Sequence, residues 1–95
     1  MFIVMITYKK PLAEVEQHLV AHRNFLEAGY QRNCFVASGP QNPRTGGVII
    51  SQLEDRAELE RLLQDDPFLV NGIAEYQFIE FNPVKYHPHF APFIR

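Results

Sequence analysis

Met1-Phe2-Ile3-Val4-Met5-Ile6 is an unbroken apolar run, closed by Thr7-Tyr8-Lys9-Lys10. Successive side chains of a strand point to opposite faces, so a strand apolar at every position demands cover on both sides. The run lacks the basic start and cleavage site of an export signal, and it is far too short to span a bilayer. It therefore reads as a strand buried on both faces, in a chain expected to be cytoplasmic and to have no membrane partner.

The chain beyond it falls into elements. Pro11 suits a first helical position, Glu14 and Glu16 lie where the helix dipole favours negative charge, and Gly29 suits a left-handed C-terminal position. Together they predict one helix from about Pro11 to about Ala28. Leu12, Val15, Leu19, His22 and Leu26 recur at steps of three and four, the seam of an amphipathic helix. At roughly 100° per residue, His22 lies within about 30° of the seam centre, so an imidazole points inward from an aliphatic stripe.

Asn33 to Ala37 predicts a short second strand, stopped by Ser38-Gly39-Pro40, and Gln41 to Gly46 a polar loop with Pro43 and Arg44. Gly47 to Leu53 reads as a third strand. Asp55 with Glu58 three residues on predicts a capped helix whose apolar positions are Leu59, Leu62 and Leu63. Asp66-Pro67 opens a further turn in the same way, Gly72 can end it, and Ile73 to about Phe81 forms the last strand. No repeat or linker divides the 95 residues, so residues 1–95 are expected to form a single domain.

The order is that of a ferredoxin-like βαββαβ sandwich, an α+β fold with two helices on one face of a four-stranded antiparallel sheet. Two helices shield one face only. Yet the first strand is apolar throughout, and the last carries Tyr76 and Phe78 on one side and Ile79 and Phe81 on the other. The simplest cover for the second face is a homodimer packed sheet against sheet. A chain this small also leaves little room for a deep cleft of its own. From about 83 to 95 the proline- and aromatic-rich tail predicts an extended arm, lying along its own subunit or across the dimer seam.

Composition excludes several functions. Hydrophobic residues make up 46% and charged residues 21%, which is globular, and the net charge of -2 leaves no basic footprint for nucleic acid. The βαββαβ order is shared by RNA-binding modules, but Gly46 to Ser51 lacks their interleaved aromatics and basic start. Cys34 begins a strand and reads as a small core residue. His18 and His22 have the i, i+4 spacing of helix-borne metal ligands, without the glutamate of a His-Glu-x-x-His motif, and His87 and His89 lie in the tail. No metal and no cofactor are expected.

His22, Ser38-Gly39-Pro40, Gly47, and above all Asp65-Asp66-Pro67-Phe68 followed by Gly72 resemble, in order and spacing, the YciI-like, YCII-related family. The resemblance covers nearly the whole chain. It implies membership of the wider dimeric α/β-barrel superfamily, in which two ferredoxin-like subunits join their sheets. It also implies an active site built from His22 and Asp66. Some relatives are dehydrochlorinases of chlorinated aromatic intermediates, and muconolactone isomerases and small monooxygenases share the barrel.

Chemistry makes a separate case for the pair. An imidazole exchanges protons near neutral pH, and a carboxylate on one ring nitrogen aims the other at a substrate. One oxygen of Asp66 is expected to cap the turn while the other meets His22. Ser38 reads as a turn residue able to donate a hydrogen bond to a ligand, and Arg44 and Arg23 as guides for an anionic substrate. Ser38 and Arg44, with Tyr8, Gly39, Pro40 and Phe68, form the expected substrate-binding set, although Tyr8 equally reads as plain packing. Two functions follow: an acid–base enzyme acting by elimination or isomerisation on a small anionic or aromatic substrate, or a non-catalytic dimer that binds a small ligand in the same pocket.

Overall fold

A computed structural model describes residues 1–95. Its elements are β1 (Phe2–Tyr8), α1 (Leu12–Gln17), α2 (Leu19–Gln31), β2 (Phe35–Pro40), β3 (Gly46–Ser51), α3 (Arg56–Leu63), α4 (Pro67–Val70) and β4 (Ala74–Glu80), followed by a 3₁₀ turn over Pro88–Phe93. The sheet is antiparallel with strand order β2-β3-β1-β4, as the ferredoxin-like sandwich requires. No helix is long and apolar enough to cross a membrane.

Alternation sorts β1 cleanly. Phe2, Val4 and Ile6 are buried and join Ile49, Val15, Leu59, Leu63 and Phe68 in one core. Ile3 and Met5 point the other way, where Ile3 pairs with Ile50 and Ile79, and Met5 with Val48. That second face carries no helix; its apolar residues Ile3, Met5, Val48, Ile50 and Ile79 lie beside Thr7, Glu75 and Gln77, and Ile79 is 48% exposed.

The first helix differs from expectation. It is broken at His18 (φ -110°, ψ 3°) into α1 and α2. No glycine or proline marks the break; Val15 seats fully in the core, while Leu12, expected in the seam, stays 45% exposed. The helix also runs past Gly29 to Gln31, and the left-handed residue is Asn33 (φ 58°). Asparagine tolerates that region because its short polar side chain bonds locally. Gly29 is buried inside α2, where a Cβ would lie 2.2 Å from Cε2 of Phe35.

Ser38-Gly39-Pro40 does not stop β2 but belongs to it. Pro40 is tolerated because β2 is an edge strand, where a missing N–H leaves no ladder bond unmade. A bulge between Phe35 and Ala37 shifts the register so that Ser38 pairs with Ile49. Opposed residues share a face, so the extra residue turns Ser38 to the helix-covered side, whereas an unbroken ladder would have put it opposite Val48.

The tail is extended only as far as His87. Pro88 then opens the 3₁₀ turn, whose start is tied by the His89 N–H donating to the His87 ring. Proline bars a regular helix, but a short 3₁₀ turn needs few backbone donors. The arm ends on its own chain, with Arg95 donating to the Asn33 carbonyl at 2.7 Å.

Candidate active site

Asp66 is fully buried at the start of α4. It acts as N-cap, Oδ1 accepting the Phe68 N–H at 3.0 Å, and Pro67 at the first helical position needs no partner for a donor it lacks. Gly72, at φ +65°, takes the left-handed conformation that releases the chain into β4. The same Oδ1 lies 2.8 Å from Nδ1 of His22, 44 positions away. Cap and histidine thus share one oxygen, where one each was expected, and Oδ2 is left to accept the Tyr76 hydroxyl.

His22 is 7% exposed on α2. Its ring stacks on Phe68, centroids 3.9 Å apart and planes 4° from parallel, and Tyr8 meets Phe68 edge-on at 6.0 Å. A carboxylate only accepts, so the bond to Asp66 puts the proton on Nδ1 and leaves the Nε2 lone pair free. Nε2 has no protein partner, yet no buried polar side-chain atom lacks one. Nε2 is therefore reached from solvent.

What it meets there is a cavity of about 560 Å³. Tyr8, Ser38, Gly39, Pro40, Arg44 and Phe68 all border it with His22. Asp66 stands behind His22 and Phe68, outside the lining. Ile6, Leu19, Leu26 and Ile49 make much of the wall apolar, and Arg23 lies at its edge. The Ser38 hydroxyl is hydrogen-bonded to the Tyr30 hydroxyl at 2.7 Å, which fixes its rotor. Arg44 pairs with Glu16, joining the β2–β3 loop to α1, and both line the cavity. Glu16 first, and Tyr8 second, hold the Arg44 guanidinium charged more firmly than usual.

Tyr76 is a site residue that sequence reasoning missed. Burial, and then the adjacent Asp66 charge, push its phenol well above the ordinary tyrosine range, so it remains a neutral donor. The signal was present: alternation along β4 puts Tyr76 on the helix side, and a buried tyrosine hydroxyl needs a partner. Tyr30 and Glu16 were missed too, because their partners come from other elements. His18 does not border the cavity, and no three histidine, cysteine or carboxylate side chains gather as metal ligands would.

A family model of the YCII-related domain matches residues 1–82. Among the solved structures that match is 5-chloro-2-hydroxyhydroquinone dehydrochlorinase from Burkholderia phenoliruptrix AC1100, in complex with 2,5-dihydroxybenzoquinone. The similarity has a TM-score of 0.71 at 20% identity and covers 94% of this chain and 98% of that one. At that identity the likeness is one of fold. No curated protein matches the chain.

Proposed function

This chain belongs to the YCII-related domain family, and on that premise we propose that it is a small-molecule enzyme in which the His22–Asp66 dyad performs acid–base chemistry. The observation that carries this reading is the division of labour on one imidazole: Nδ1 is held by a fully buried carboxylate, and Nε2 opens on the cavity. Nε2 takes a proton from the substrate and returns it to the same molecule in an isomerisation; in an elimination the C–H electron pair becomes the new double bond, the leaving group departs as an anion with its bonding pair, and Nε2 passes the proton to solvent. Asp66 holds the tautomer and stabilises the imidazolium formed on the way.

The substrate is small and anionic or aromatic. Apolar walls suit a ring, Arg44 and Arg23 suit negative charge, and Ser38 and Tyr8 offer hydroxyls. The fold shared with a dehydrochlorinase solved with a hydroxylated quinone supports the same class. The working unit is a homodimer in which the helix-free sheet faces meet, supported by the Ile3, Ile50 and Ile79 cluster left there by the single chain. Light scattering on the eluting protein tests this; a stable monomer at micromolar concentration rejects the dimer.

Turnover assays with chlorinated hydroquinones and lactones as candidate substrates test the chemistry. His22→Asn is expected to lower turnover by about 10²–10⁴-fold while melting behaviour persists. No turnover of any candidate, together with unchanged 2,5-dihydroxybenzoquinone binding in His22→Asn, would favour a non-catalytic binding protein.

A further inference from the structure

Three donors converge on Asp66, and the one whose residue does not border the cavity, Tyr76, has no place in the dyad. Oδ1 takes the Phe68 N–H and the His22 Nδ1 proton, and Oδ2 takes the Tyr76 hydroxyl. We infer that Tyr76 is a positioning residue: its O–H pins Oδ2, keeps Oδ1 turned toward His22, and limits how strongly the carboxylate draws on the Nδ1 proton. The inference rests on the reading of His22 as the working base.

A carboxylate rotates about its Cβ–Cγ bond, and the Phe68 N–H alone fixes only one oxygen. Asp66 has no solvent contact, so without Tyr76 its Oδ2 would be buried with no donor. Such an oxygen costs free energy and raises the carboxylate's affinity for a proton. The proton it can draw on is that of His22. Tyr76 does not pass its own proton along, because burial and the Asp66 charge hold the phenol neutral. The chain of hydrogen bonds therefore ends at Tyr76 as a brace and not as a proton source. The other charged or titratable groups around the imidazole are Tyr8 on β1, Glu16 on α1, Arg23 on α2 and Arg44 from the β2–β3 loop. None of these bonds to Asp66.

Ring ¹⁵N NMR of His22 across pH reads the effect directly in the intact protein. Tyr76→Phe is expected to move the His22 titration midpoint upward by about one pH unit, since one hydrogen bond to a buried charge is lost. Installing 3-fluorotyrosine at position 76 keeps the shape and strengthens the donor, and is expected to move the midpoint downward even if the phenylalanine variant fails to fold. A midpoint that stays put in fluorotyrosine protein, or moves upward there, overturns the inference, as does an unmoved midpoint in folded Tyr76→Phe. The measurement needs no substrate: absent turnover would sink the acid–base reading and leave the coupling intact, whereas an unmoved midpoint beside His22-dependent turnover would do the reverse.

Discussion

Phe68 holds both members of the buried His22–Asp66 pair at once: its ring lies flat on the His22 imidazole, and its backbone N–H donates to Asp66 Oδ1. The backbone contribution comes from the Asp-Pro turn and survives a change of side chain. The stack does not. Loss of the ring therefore separates the plane of the imidazole from the position of the carboxylate.

Phe68→Leu keeps an apolar filler and is expected to cost about 1–2 kcal/mol, against about 3–5 kcal/mol for Phe68→Ala. Urea unfolding at neutral pH measures both. In the leucine variant the His22 ring resonances are expected to broaden while the Phe68-to-Leu backbone N–H stays protected from exchange.

Asp66→Ala removes the acceptor for three donors at a fully buried position. The expected cost is about 3–5 kcal/mol, because buried donors left unmatched lose more than one net hydrogen bond each returns. Asp66→Asn keeps one oxygen and is expected to fall between wild type and alanine. Equal stability of wild type and Asp66→Ala in chemical denaturation would contradict the network.

Tyr76 gives an alkaline signature. Its proton is held more tightly in the folded chain than in the unfolded one. The associated stability is fully present below the ordinary tyrosine value of about 10 and falls as pH rises beyond it, by up to about 1.4 kcal/mol per pH unit, because the unfolded state loses the proton first. Tyr76→Phe lacks this dependence, so the stability difference between the two proteins is expected to narrow above about pH 10. Denaturation series at pH 8 to 11 check the trend, and a constant difference would contradict it.

Gly29→Ala sets two effects against each other. Alanine gains about 1 kcal/mol in helix propensity. Its Cβ, however, would meet the Phe35 ring at 2.2 Å, and that ring is 2% exposed and packed against Phe25 and Tyr30. Overpacking wins, with a net loss of about 1–3 kcal/mol expected in urea unfolding.

Much of the frame was legible without coordinates. Asp55 caps α3 by accepting the Ala57 N–H, and Asp66-Pro67 starts α4, because caps are written within three residues. His22 points inward because its place in the 3.6-residue repeat puts it there. The break at His18 was not legible, since no residue in it departs from helical preference. By sequence alone Ser38 reads as a turn residue, and only the bulge that re-aims its strand brings it to the cavity. Tyr76 was visible as an apolar-face residue but not as a donor to Asp66.

What the sequence determined by itself is therefore local: which segments are strands and helices, where they start, and that an imidazole lies on a buried seam. Those signals are periodicity and turn chemistry, carried by neighbours in the chain. Tertiary structure decided that Asp66 uses one oxygen for both its turn and His22, that Tyr76 takes the other, and that Nε2 is the nitrogen left open. Each depends on groups from α2, α4 and β4 meeting within hydrogen-bond distance, and hydrogen-bond partners across an interior are set by packing, which no periodicity encodes.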